Sequence, residues 1–251
     1  IVVVDVQRAG PATGMPTKTE QADLLQAMYG RSGEAPCIII APSGPSDCFE
    51  LIIEAVRLAI RCMCPVVFLS DGSIVNGAEP WRLPDLDAIK PIEVRHPAAP
   101  AEGDEQYRPY RRDPATLARQ WAIPGTPGLE HRVGGLEKQD VTGNVSYDSD
   151  NHEHMVRTRQ EKVQRAADMI PQLEVDDPDG AKTLVLGWGS TRGAIHASVA
   201  ELRGRGLNVA MTHLRHLNPF PSNLESILQH YDTVIVPENN TGQLAHLLRA
   251  A

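Results

Sequence analysis

The sequence predicts an α/β protein: two α/β domains with mainly parallel sheets, joined by a long ordered connector. Two observations predict this. From Ile1 to Gly72, and again from Lys182 onward, short apolar runs rich in β-branched residues alternate with stretches of helical periodicity, the order expected of parallel sheets with helical crossovers. Between Gly72 and Tyr147 the alternation stops and Pro, Gly and charge take over.

Ile1 to Val6 is a β-branched run without alternation, the pattern of a strand buried on both faces. After a Gly/Pro loop, Leu24, Leu25 and Met28 share a helical face that Gly30 can end. "PCIIIAPSGPSD" reads as strand, loop and helix start. Ser46 or Asp47 begins a helix through Arg61 that turns Phe49, Ile52, Ile53, Val56 and Ile60 inward. "PVVFLSDG" is a further buried strand. The connector has no usable period, yet its scattered Trp81, Tyr107, Tyr110, Trp121 and Ile123 indicate a segment packed on something rather than a free linker. A helix follows, over about 151–172, capped by Asp150 or Asn151, with Met155, Val163, Ala167 and Ile170 on one face. From Lys182 the order is strand "TLVLGWG", helix Arg192 to Arg203, strand "LNVAMTHL", helix Pro221 to His230, strand "TVIVPE" and a helix after Thr241. The domains expected are therefore 1–75, a connector 76–181, and a second, separate domain 182–251. Ile1 already lies inside a strand and "TGQLAHLLRAA" stops in a running helix, so a fragment of a longer chain is expected.

Composition narrows the function. With 24 basic against 32 acidic residues and a formal net charge of −8, no polyanion-binding surface and no nucleic-acid partner are expected. No run is long and apolar enough for a membrane span and no secretory signal is visible, which makes the cytoplasm the default. Cys37, Cys48, Cys62 and Cys64 lack the repeated spacing that gathers thiolates round a metal or cluster. Buried free thiols are the expectation.

Four segments are candidates for chemistry. "GWGSTRG" lies between strand and helix like a phosphate loop, but Gly187, Gly189 and Gly193 do not have dinucleotide spacing, and a tight turn is favoured. His152 and His154 stand two apart, which points them to different sides of a helix; a capping or interface role is favoured over metal. His213, Arg215 and His216, beyond a strand, either meet a substrate or partner or close a Pro-rich loop. The sharpest candidate is "DVQRAGPATG". Arg8 sits just past a strand's carboxyl end, at the mouth of a loop of thirteen residues, Ala9 to Gln21. A guanidinium meets a planar carboxylate with two parallel N–H donors, and Gly10 and Gly14 permit close approach. The alternative is an ordinary surface ion pair.

The segment "VVVDVQRAGPATGMPTKTEQADLLQAMYGRSGEAP" resembles, over its whole length, the alpha subunits of 2-oxoacid:ferredoxin oxidoreductases, above all the 2-oxoglutarate type. "IPGTPG", "GLE", "DNHEHMVRTRQEKV", "GWGSTRGAI", "LNPFP" and "VIVPENNTGQL" agree in the same order. The resemblance implies the end of a thiamine pyrimidine-binding domain, then a transketolase C-terminal-like domain. It implies oxidative decarboxylation of a 2-oxoacid on thiamine diphosphate, with electrons passing through an iron–sulfur cluster to ferredoxin and the acyl group to coenzyme A. Thiamine diphosphate, its Mg²⁺ and the cluster are held mainly by a beta subunit in such hetero-oligomers, so no metal ligand is expected here. The arginine of Gln7-Arg8-Ala9-Gly10 lies by the substrate carboxylate in that family, which makes Arg8 the expected catalytic residue, with Gly10 and Thr13 beside it in substrate binding. The family's YPITP-type segment and activating glutamate are not found, and "GLEKQD" lacks a His that often follows the Glu; the isolated chain is expected to be inactive. A pyruvate or branched-chain 2-oxoacid enzyme and a non-catalytic assembly module are the alternatives.

Overall fold

The computed structural model describes residues 1–178 and 180–250. Strand β1 (Val2–Gln7) leads through the long loop to α1 (Leu24–Tyr29), β2 (Ile38–Ile40), α2 (Asp47–Arg61), β3 (Val66–Asp71) and the short α3 (Gly72–Asn76). β1 and β2 pair in parallel with opposite sides of β3, so α2 is a crossover helix. After the connector come α4 (Ser149–Gln164), β4 (Thr183–Trp188), α5 (Arg192–Gly204), β5 (Val209–Leu214), β6 (His216–Asn218), α6 (Leu224–His230), β7 (Thr233–Ile235) and α7 (Gln243–Ala250). Among the described residues, β5-β4-β7 form one parallel sheet and β1-β3-β2-β6 the other. No helix among them is long and apolar enough to cross a membrane.

The last strand of the first sheet comes from the second half of the chain. β6 adds antiparallel to β2, and Asn218 Nδ2 donates to the Cys37 carbonyl at 2.7 Å. The stretch after residue 182 is thus tied to the first sheet. One apolar core unites Leu24, Ile39 and Leu69 with Leu184, Trp188, Leu214 and Leu244. A second core lies where α2 and α4 cover β2 and β3, through Leu51, Leu58, Phe68 and Val163.

Three expectations need correction. Among the described residues β1 is an edge strand, flanked by β3 alone, and Val3, Val4 and Val6 are 45–55 % exposed. A continuous apolar run reports composition, not neighbours. In α2 the fully buried stripe is Leu51, Ala55, Leu58 and Ala59, whereas Phe49, Ile52, Ile53, Val56 and Ile60 are half-buried. The connector covers that flank: Trp81 packs on Phe49 at 5.4 Å between ring centroids, and Trp121 Nε1 donates to the Ile60 carbonyl at 2.8 Å. In α4 the cap is Asp148, whose carboxylate accepts the Asn151 N–H at 2.8 Å. The helix tightens into a 3₁₀ turn, Arg165–Met169, and that three-residue period buries Ala166 after Val163 instead of Ala167. Replacing Asp148 by Ala is expected to cost about 1 kcal/mol, read as a lowered midpoint of unfolding.

The "NHEH" segment fastens the connector to α4. His152 Nδ1 lies 2.7 Å from Glu137 Oε2 and His154 Nε2 3.2 Å from Asp140 Oδ2. Asn151 donates to the Lys138 carbonyl and accepts the Asp140 N–H. The two imidazoles meet different carboxylates, as their two-residue spacing requires.

Candidate functional site: the Arg8 loop and the junction beneath it

Gln7-Arg8-Ala9 alternates as a strand end should. Gln7 is buried, its amide donating to the Ser70 carbonyl at 3.2 Å and its oxygen accepting the Asp23 N–H at 3.1 Å. Ala9 is buried as well, so Arg8 between them faces outward. Arg8 is exposed and, among the described residues, has no hydrogen bond or ion pair. The surface ion pair is therefore not made. The loop closes on itself: Ala9 N–H donates to the Lys18 carbonyl and Met15 N–H to the Ala9 carbonyl, both at 2.9 Å. Gly14 has φ +51° and a Cβ there would lie 1.8 Å from the Ala9 oxygen, so only glycine closes the loop. Gly10 presents open space on its Cα, but its N–H already donates to Glu20 Oε2 at 2.9 Å. Thr13 is exposed, and among the described residues its hydroxyl in the Arg8 loop has no partner.

The carboxyl end of β3 carries Asp71, which pairs in register with Gln7 and is 1 % exposed. Among the described residues no cation pairs with it; four donors satisfy it instead. Oδ1 accepts Thr19 Oγ1 at 3.2 Å, Ser73 N–H at 2.9 Å and Ile74 N–H at 3.2 Å. Oδ2 accepts Ser190 N–H at 3.2 Å. The "GWGS" turn thus has its anion already, an internal carboxylate where a phosphate would sit. Both glycines are there for packing. A Cβ on Gly189, at φ +59°, would be 2.6 Å from Gln21 Nε2, and one on Gly187 would be 2.2 Å from Ile195 Cδ1.

The "HLRHLNPFP" side chains are committed inward. Arg215 grips Asp47 through Nε at 3.1 Å and Nη2 at 2.6 Å, the two-point geometry that suits guanidinium and carboxylate. His216 Nε2 is 2.8 Å from Glu54 Oε1. Burial works against the Glu54 charge, but that hydrogen bond and the charges of His216, Arg215 and Arg57 hold its carboxyl below the usual range. These pairs staple the start of β6 to α2, while His213, Arg215 and His216 also line the cavity between β2 and β5.

His213 Nε2 donates to the Gly189 carbonyl at 3.0 Å, while its buried Nδ1 has no partner among the described residues. Burial brings its pKa down from 6.5 to about 4. The folded state therefore holds the ring neutral, and the unfolded chain binds the proton first. Stability is expected to fall by about 3 kcal/mol between pH 6.5 and pH 4 on this account, with no further loss below. Denaturant unfolding of wild type and His213→Gln across that range checks it: the difference between them should carry this slope.

A cavity of about 880 Å³ opens between the carboxyl ends of β2 and β5, with Trp81, Arg82, Arg192 and His196 on its wall; Arg8 lies outside it. Among the described residues no three His, Cys, Asp or Glu side chains come together to hold a metal ion. Cys37, Cys62 and Cys64 are buried free thiols and Cys48 is half-buried. With Asp71 bonded to it, the "GWGS" turn itself does not fit a diphosphate.

Comparison with known proteins places this architecture. Residues 1–150 match the family model described as pyruvate flavodoxin/ferredoxin oxidoreductase, thiamine diphosphate-binding. The chain belongs to that family. Residues 181–251 match core domain II of pyruvate:ferredoxin oxidoreductase. Within the oxidoreductase family the chain is 55 % identical over 250 residues to 2-oxoglutarate oxidoreductase subunit KorA of Mycobacterium tuberculosis, covering 99 % of this chain and 37 % of that protein. It is 29 % identical to 2-oxoglutarate synthase subunit KorA of Archaeoglobus fulgidus, over 97 % of this chain and 62 % of that one. The solved 2-oxoglutarate:ferredoxin oxidoreductase of Magnetococcus marinus, with 2-oxoglutarate, coenzyme A and succinyl-CoA bound, superimposes with a TM-score of 0.86 at 34 % identity, over 99 % of this chain and 43 % of that one. The chain thus spans less than two thirds of the length of each of these oxidoreductases. The sequence reading of Arg8, Gly10 and Thr13 missed the residues under the loop, Gln21, Asp71 and Asn239. Asp71 stands at the end of an apolar run, but Gln21 and Asn239 lie in polar stretches, a pattern that marks caps and turns equally well.

Proposed function

We propose that this chain is the part of an oxidoreductase alpha subunit that binds the carboxylate of a 2-oxoacid, 2-oxoglutarate by preference, during its coenzyme A-dependent oxidative decarboxylation with ferredoxin as electron acceptor. The observation that carries this reading is Arg8: a guanidinium at the carboxyl end of a parallel strand, exposed and unpaired among the described residues, within a chain 55 % identical to a 2-oxoglutarate oxidoreductase subunit. A permanent cation with no partner among the described residues is available to an anionic ligand. Thr13 adds a hydroxyl donor, and Gly10 leaves room on the loop. Arg8 stands on open surface outside the cavity, which supports a pocket completed by another chain, the beta subunit. That subunit would hold the thiamine diphosphate, its Mg²⁺ and an iron–sulfur cluster, which supply the electron sink and the outlet for two electrons when bound. This chain's own share is to fix the substrate carboxylate, and so the direction in which the keto carbon points. Residues 1–75 would then be the end of the pyrimidine-binding domain and 182–251 a transketolase C-terminal-like domain, in a cytoplasmic hetero-oligomer. Side-by-side turnover of 2-oxoglutarate, pyruvate and a branched-chain 2-oxoacid by the assembled enzyme tests the proposal. The expected order puts 2-oxoglutarate first; faster turnover of pyruvate would reassign the substrate.

A further inference from the structure

Among the described residues the Arg8 side chain has no bond of its own to aim it, so its direction depends on the backbone of its loop. The outgoing limb is held by Gln7 and Ala9. The returning limb, Thr19 to Ala22, is held almost entirely by the C-terminal half. Gln21 is completely buried and spends its hydrogen-bonding groups there: its N–H donates to the Asn239 carbonyl at 2.9 Å, its carbonyl accepts Asn240 Nδ2 at 2.8 Å, its side-chain oxygen accepts the Asn239 N–H at 2.9 Å, and its side-chain nitrogen donates to the Trp188 carbonyl at 2.8 Å. Asn239 Nδ2 donates to the Thr19 carbonyl at 2.9 Å, and Gln243 Nε2 to the Ala22 carbonyl at 2.7 Å. Thr19 Oγ1 reaches Asp71, whose other oxygen takes the Ser190 N–H.

We propose that Thr19, Gln21, Asp71 and Asn239 are positioning residues for Arg8, through which the C-terminal half sets where the guanidinium meets the substrate carboxylate. This rests on the carboxylate reading of Arg8. It gives "GWGS" and "PENNTGQ" one shared role: both are receptacles for the limb that returns from Arg8. A two-point contact needs both partners placed within about 0.5 Å, so slackening this limb weakens binding of the carboxylate. The carboxylate is bound before it departs as carbon dioxide, so slackening the limb that aims Arg8 falls mainly on KM rather than kcat.

The test uses enzyme assembled from the full-length alpha subunit and its partner, with Asn239→Ala and Thr19→Val made singly and on an Arg8→Ala background. Both changes are mild: the Asn239 side chain is exposed, and valine has the shape of threonine. Each single variant is expected to raise KM for the 2-oxoacid by about three- to tenfold, with kcat within about twofold and KM for coenzyme A unchanged. Thr19→Ser, which keeps the hydroxyl, should restore the wild-type KM. Neither change should raise KM further once Arg8 is alanine, since the two act through one contact. Unchanged KM in both single variants, or equal fold increases on both backgrounds, would overturn the positioning role while leaving Arg8 as the carboxylate ligand. An Arg8→Ala enzyme with normal KM would instead show that the carboxylate reading itself is wrong, and the positioning role would fall with it.

Discussion

Replacing Arg8 by alanine in the assembled oxidoreductase is expected to lower kcat/KM for the 2-oxoacid by about a hundredfold, most of it through KM. Hydrogen bonds to a charged group contribute roughly 1.5–3 kcal/mol, and a guanidinium makes two of them to one carboxylate at once. Arg8→Lys keeps the charge but offers a point donor in place of the fork, so about a tenfold loss is expected. Neither change should disturb folding, because Arg8 is exposed and, among the described residues, has no internal partner to orphan. The measurement is steady-state turnover over a range of 2-oxoacid concentrations, beside the unfolding midpoint of each variant. Wild-type kinetics in Arg8→Lys and Arg8→Ala together would remove Arg8 from the site.

Trp188→Ala is expected to cost about 3–5 kcal/mol of stability, the range for deleting a fully buried large side chain. The indole is 0 % exposed and lies in the core that unites Leu24, Ile39 and Leu69 with Leu184, Leu214 and Leu244. Its N–H faces Glu238 Oε2 at 3.4 Å, and the same carboxylate accepts the Leu244 and Ala245 N–H groups at the start of α7. Removal thus opens a cavity and loosens a helix start together. Because this core is shared, denaturant unfolding of the 251-residue chain should show one transition, shifted as a whole in the variant. Two separated transitions, with only the second moved by Trp188→Ala, would mean that the halves fold independently.

The residues that were readable in sequence are those governed by near neighbours. The alternation of apolar runs with helical periodicity determined the α/β order, and Gly30 after α1 ended that helix where expected. The placement of Arg8 past a strand end was legible for the same reason, since strand, arginine and glycine loop are consecutive. The burial of the thiols Cys37, Cys62 and Cys64 followed from apolar surroundings within a few positions.

What only the tertiary structure decided depends on contacts between residues far apart in the chain. β6 is three residues of a Pro-flanked loop with no strand period; its conformation comes from an edge of β2 that a distant segment provides. α2 is apolar on more than one side, so periodicity could not say which stripe faces the sheet and which the connector. The "GWGS" turn looks like an anion site and is one, but its anion is Asp71, 119 positions away. Local pattern records what each segment can bury or bond; only the folded chain settles with what, because each polar group in the interior is satisfied by whichever partner the topology brings to it.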